Sequence, residues 1–113
     1  MWEIPGGAVE RDESPPRAGA VREVEEELGL TWEPGRLLGV DWRGPWAGRS
    51  EGLAYVFDGG VLSGARLAGM RLQAEELGRM EFVAVDRVRE RLTERLAARV
   101  VACARAREQG VTV

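Results

Sequence analysis

Four of the five positions from 23 to 27 are glutamate, and they crowd the end of a segment that reads as a helix. Ser14 has the character of an N-cap with Pro15 at the first helical position, and Ala18, Val21, Val24 and Leu28 recur at spacings of three and four. Gly29 stands where a C-terminal cap belongs. Carboxylates at that end meet the negative pole of the helix macrodipole, at a cost of roughly 0.3–1 kcal/mol each, so the segment calls for a counter-ion. Arg22 and a bound divalent cation are the candidates. At about 100° per residue, Glu23, Glu26 and Glu27 fall on one side of the helix while Glu25 points away. All-oxygen donors of this kind suit Mg²⁺ or Mn²⁺ rather than zinc. An isolated charge run is ordinarily a solvated helix face, so the residues around this one carry the weight.

Those residues follow a pattern. Gly7, Glu13, Arg22, Glu23, Val24, Glu26, Glu27, Gly29 and Leu30 occur in the order and type of the Nudix box, and Trp2-Glu3-Ile4-Pro5-Gly6-Gly7-Ala8-Val9-Glu10 looks like the usual approach to it. The segment therefore resembles the Nudix family. One departure stands out: eight residues, rather than the family's seven, separate Glu13 from Arg22. The extra residue falls in Ser14-Pro15-Pro16-Arg17-Ala18-Gly19-Ala20-Val21, which leaves Arg22 to Leu30 in register and shifts Glu13 relative to it.

The resemblance implies an α/β fold, the Nudix α/β/α sandwich with a mixed sheet, over a single domain spanning residues 1–113. It implies a hydrolase that cleaves the diphosphate linkage of a nucleoside diphosphate derivative with Mg²⁺, or Mn²⁺ in its place. Glu23 and Glu27 would be metal ligands, Glu26 a further ligand or water-positioning carboxylate, and the backbone carbonyl of Gly6 another ligand. Glu23 and Glu26 would be the catalytic carboxylates, with Glu23 the first choice for general base. Arg22, Gly7 and Glu13 would support the site, Arg22 through an ion pair with the glutamates. An acid from a later loop would correspond to Glu75 or Glu76, although an exposed Glu pair is usually plain surface.

Composition narrows the chemistry from another side. The chain has no histidine and one cysteine, Cys103. Ser-His-Asp and Cys-His nucleophile pairs, histidine zinc sites and internal disulfides are thereby excluded. A formal charge of -3 gives no general attraction to a polymeric nucleic acid. No stretch approaches the ~20 apolar residues of a membrane span, and no signal peptide is recognisable, so the expected setting is cytoplasmic. All 16 basic residues are arginine, a usage read as coding bias.

Past the box, strands are expected at Arg36 to Trp42 and Leu53 to Phe57, with a Gly- and Pro-rich loop between them. Arg66 to Leu72 is ambiguous. Glu81 to Val85 reads as a strand, and an amphipathic helix is expected from Asp86 onward on the spacing of Val88, Leu92, Leu96 and Val100. Trp2 to Ile4 would be a short strand stopped by Pro5. In the loop, Trp46, Arg43 and Arg49 are candidates for substrate binding, by stacking on a base and by contacts to phosphate or ribose. Trp42 ends a strand and reads as core. Gly59-Gly60 is a turn and not a phosphate loop, and Cys103 is a small buried apolar residue.

The box lead-in starts at Met1, where the family carries earlier strands, so the sequence reads as a Nudix domain without its leading strands. Two expectations follow. One is an active enzyme on a small-molecule substrate, its sheet completed by further chain or by a second copy in a homodimer. The other is a catalytically inactive Nudix-like fragment that binds metal or nucleotide, or serves as an interaction module.

Overall fold

A computed structural model of the chain describes residues 3–6, 16–45, 48, 50–71 and 80–113. The elements, in order, are helix α1 (Pro16–Leu28), strands β1 (Leu37–Arg43) and β2 (Gly52–Phe57), helix α2 (Gly64–Ala68), a 3-10 helix (Val85–Glu90) and helix α3 (Glu94–Gln109). Helices with a small antiparallel sheet are what the α/β reading requires. Among the described residues no helix is long and apolar enough to cross a membrane. The chain divides into two compact units, one holding Arg36–Asp58 and Val83–Val113, the other Glu3–Gly35 and Gly59–Phe82.

In the first unit, β1 and β2 pair antiparallel, with Val40 opposite Tyr55 and Trp42 opposite Leu53. The register slips between Leu37 and Gly39, so Leu38 is an extra residue on β1, and it is buried. Opposite faces of the strand differ as the period of two demands. Gly39 and Asp41 meet α3, whereas Val40, Trp42, Leu53 and Tyr55 stand exposed.

The approach of α3 to β1 depends on the missing side chain of Gly39. A Cβ there would lie 2.9 Å from the Cys103 sulfur and 3.1 Å from Val113 Cγ2. Cys103 is buried as expected, and that burial pushes its thiol up in pKa while the Arg99 charge pulls it down more weakly. The thiol thus stays protonated at neutral pH. The helix ends in a left-handed residue, Gly110 (φ 69°), with Gly110 N–H donating to the Arg107 carbonyl and Val111 N–H to that of Ala106. This is the Schellman arrangement. The chain then returns along β1, where Val113 N–H donates to Leu38 O (2.9 Å) and Val40 N–H to Val113 O (3.0 Å). These two bonds hold the chain end alongside β1, while the sheet of the described residues is the antiparallel pair β1–β2.

Arginines fasten these parts. The Arg36 fork donates to the carbonyls of Val111 (2.7 Å) and Ala106 (2.9 Å), a cation at the negative end of α3. Arg99 pairs with Asp41 at 3.0 Å and Arg107 with Asp58 at 2.8 Å. Arg95 lies 5.4 Å from the centre of the Trp42 ring and donates to the Trp42 carbonyl, while the indole N–H reaches Glu51 Oε2 at 3.1 Å. Trp42 is 50% exposed and so is not the core residue its strand-end position suggests.

Two expectations for the C-terminal half are corrected. Residues 81–84 form no strand, and Phe82 is 67% exposed; Val85 opens the 3-10 helix instead. The single helix expected from Asp86 is two pieces. Thr93 adopts an extended backbone (ψ 155°) and its hydroxyl accepts from Leu96 N–H at 3.3 Å, so it caps a new helix. The recurrence of Val88, Leu92 and Leu96 spans that break, with Val88 buried and Leu92 and Leu96 partly covered.

In the second unit, Val24, Leu28 and Leu30 form the core, with Trp32, Leu62 and Met70 packed against them. Of the helical face expected from spacing, Val24 and Leu28 are buried, Val21 is partly covered and Ala18 is exposed. The Trp32 indole N–H donates to Gly59 O at 3.0 Å, which ties the segment after α1 to the Gly59-Gly60 turn. The ambiguous stretch at 66–72 contributes to the five-residue α2, capped by Ser63, whose hydroxyl accepts from Arg66 N–H. Ser14, Pro15 and Trp2 lie outside the described residues, and Glu3 and Ile4 are not in a strand.

The end of α1 is sharply specified. Gly29 is left-handed (φ 65°) and its N–H donates to Glu25 O at 2.9 Å, a 5→1 closing bond. A Cβ on Gly29 would sit 3.1 Å from Arg71 Cβ and 3.3 Å from Arg71 N, whose N–H donates to Leu28 O at 2.7 Å.

Gly29→Ala is expected to lower unfolding free energy by about 1–2 kcal/mol through the left-handed backbone alone, with more from the Arg71 contact. Gly39→Ala is expected to cost about 1–3 kcal/mol by overpacking. If the Cys103 sulfur is the obstacle, Cys103→Ala in the Gly39→Ala background recovers part of that loss. Urea denaturation of the four-member cycle checks this, and strict additivity of the two substitutions would refute the contact.

Candidate active site

The candidate site is built on the last two turns of α1, where the described helix carries no basic residue to answer its acids in the final turn. Two other groups answer them. The Arg22 guanidinium sits between Glu23 (Nη2 to Oε1, 2.9 Å) and Glu26 (Nη1 to Oε2, 3.1 Å). Glu23 is the more enclosed partner, its side chain 16% exposed against 53% for Glu26. The backbone N–H of Gly6 donates to Glu27 Oε2 at 2.9 Å, across 21 positions of sequence. Glu25 is exposed and takes no part in these contacts.

The helix is held by its flanks. Arg17 donates through both terminal nitrogens to the carbonyls of Pro34 and Gly35, so the first turn of α1 is tied to the segment that leaves its end. At the far end the Gly29 cap and the buried Leu28 and Leu30 stop the helix and anchor it. Between them Arg22, Glu26, Glu25, Val21 and Ala18 line a shallow, open recess along one side of α1.

The structure thus gathers the expected residues into two subsets, Arg22 with Glu23 and Glu26, and Gly6 with Glu27. Among the described residues, no three acidic, cysteine or histidine side chains stand close enough to hold a cation as they are placed. Glu23 and Glu26 are turned onto Arg22 instead. The donor chemistry fits a hard divalent cation, because every candidate group is an oxygen donor and Glu23 and Glu27 are one helical turn apart.

Gly7, Glu13, Trp46, Arg49, Glu75 and Glu76 lie outside the described residues. Arg43 belongs to the β1–β2 pair, where Nη2 is 3.4 Å from the Ser50 carbonyl. The sequence reading missed the amide of Gly6, having considered only its carbonyl. The signal was present in the Gly6-Gly7 pair, which permits a backbone conformation that turns a polar group toward the helix; Gly6 has φ 147°.

The NUDIX domain family model matches residues 1–103. A MutT-like protein of Streptomyces ambofaciens is 32% identical over 100 residues, covering 88% of this chain and 58% of that protein. Diphosphoinositol polyphosphate phosphohydrolase 3-alpha of Mus musculus is 56% identical over 39 residues, 34% of this chain and 23% of its own length. Diphosphoinositol polyphosphate phosphohydrolase 2 of Homo sapiens is 54% identical over 40 residues, 35% of this chain and 22% of its own. The chain therefore spans little more than half the length of the Streptomyces relative. No solved structure matches it significantly. With the family model covering most of the chain, and the box acids and Gly6 arranged around the end of α1, the chain belongs to the Nudix family.

Proposed function

We propose that the chain is a metal-dependent Nudix hydrolase that cleaves the diphosphate linkage of a nucleoside diphosphate derivative. The observation that supports this most directly is the meeting of Gly6 with Glu27, which brings the lead-in loop onto the acidic end of α1. Glu23, Glu26 and Glu27 with the Gly6 carbonyl would hold Mg²⁺, or Mn²⁺ in its place. When bound, the cation neutralises phosphate charge and makes the attacking water more acidic.

The chain's own groups account for the rest. Glu23, partly enclosed and oriented by Arg22, takes the proton as the water oxygen bonds to phosphorus and the bridging P–O bond breaks. The released phosphate-bearing fragment leaves with the electron pair of that bond. Glu26, sharing Arg22, positions the water or adds a ligand. Arg22 keeps two like charges three residues apart from repelling each other out of place. Arg43, Trp46 and Arg49 are proposed to contact the substrate, and Glu75 or Glu76 to supply a further acid.

The match to diphosphoinositol polyphosphate phosphohydrolases is confined to 39 or 40 residues. Such a short match supports the phosphoanhydride chemistry more than the identity of the group attached to it. A panel of nucleoside diphosphate derivatives with one diphosphoinositol polyphosphate, assayed for phosphate-product release with and without Mg²⁺, tests the reading. Mg²⁺-dependent release from a nucleoside derivative is expected. Metal-independent release would overturn the role of the cation, and none from any compound would leave the chain as a Nudix-like binding fragment.

Glu27→Gln removes charge at nearly constant shape. It is expected to lower metal-dependent turnover by more than about 100-fold while the thermal midpoint moves by less than about 2 °C. Steady-state rates and a thermal melt on the same preparation check both halves.

A further inference from the structure

We propose that the Gly6 amide is a positioning group: it clasps the Glu27 carboxylate in the orientation from which that carboxylate serves a cation, and the clasp persists when the cation is bound. This inference rests on the hydrolase reading for the cation and on geometry for the clasp. The bond is 2.9 Å long and joins residues 21 positions apart, so it is a tertiary contact rather than a helical accident. A backbone N–H to a carboxylate is a charge-assisted bond, stronger than a neutral one.

The requirement for glycine at position 6 is conformational. Gly6 has φ 147°, a region that side chains disfavour, and among the described residues nothing lies within 4 Å of where a Cβ would be. What the described surroundings leave as the obstacle to a side chain is the backbone. The backbone that aims this N–H at the helix is therefore available to glycine and strained for other residues.

A clasp and a cation are compatible on one carboxylate. The group offers about four lone-pair sites on its two oxygens, and the amide proton uses one. Mg²⁺ demands near-octahedral geometry, which a carboxylate satisfies best through a single oxygen. Fixing Glu27 also spares it the side-chain ordering cost at the moment of binding. The same bond holds the Glu3–Gly6 segment against α1, and with it the Gly6 carbonyl.

The test is amide hydrogen exchange of Gly6, followed by two-dimensional NMR on the full chain, with Mg²⁺ titrated and its binding read from shifts along α1. Exchange of the Gly6 amide is expected to be slowed at least about tenfold in the unsubstituted chain. Glu27→Gln, whose side-chain carbonyl still accepts, keeps most of that protection. Glu27→Asp retains the charge but is one methylene too short, and loses it. Saturating Mg²⁺ leaves the protection in place.

An unprotected Gly6 amide, equal protection in Glu27→Asp, or protection abolished by Mg²⁺ would each overturn the clasp, with metal-dependent turnover untouched as a finding. Protection that behaves as expected in a chain that binds no Mg²⁺ would instead overturn the hydrolase reading, and with it the service of Glu27 to a cation.

Discussion

Negative charge at the C-terminal end of a helix is the interaction on which the candidate site depends. The carbonyl end of α1 and its four glutamates repel one another, and no basic residue in the last turn offsets them. The chain answers from two directions. Arg22, one turn back, takes Glu23 and Glu26, and a backbone N–H from a loop 21 residues earlier takes Glu27. Such an arrangement is costly for a purely structural helix and useful for one that gathers oxygen donors around a cation. The Gly29 cap stops the helix one residue after its last buried leucine, Leu28, so the acids stay at a terminus instead of being carried into a longer helix.

The all-arginine complement gains a structural meaning beyond codon usage. Arg36 and Arg17 each place two terminal nitrogens on two separate backbone carbonyls, tying together segments well apart in the sequence. A lysine ammonium is a single point charge and cannot reproduce that fork. Arg95 adds a flat cation over Trp42, a contact that also favours the guanidinium.

Legibility varied with how local the governing physics is. The end of α1, β1 and β2 were read to within a residue or so, because Gly29, the apolar runs and the Gly/Pro-rich loop are local signals. The region from 81 to 92 was misread twice. Glu81 to Val85 has the composition of a strand, but Phe82 is left exposed and no ladder forms there. The spacing of Val88, Leu92, Leu96 and Val100 suggested one helix because periodicity carries across a break that a single hydroxyl, on Thr93, introduces. Trp42 was placed in the core by its strand position, whereas the partner that accommodates it, Arg95, lies 53 residues away.

The sequence by itself determined the family, the helix that bears the acids, and which glutamates share a side of it. These follow from motif order and from a period of 3.6, both written in neighbouring residues. The sharing of Arg22 by Glu23 and Glu26 is likewise local to α1. Only the tertiary structure decided that Gly6 offers its N–H to Glu27 and that Gly39 yields its space to Cys103, because both depend on distances between segments remote in the chain. Local patterns constrain direction and spacing along one element. The closing of a loop onto a helix is set by packing and by the need of each buried or crowded polar group to find a partner.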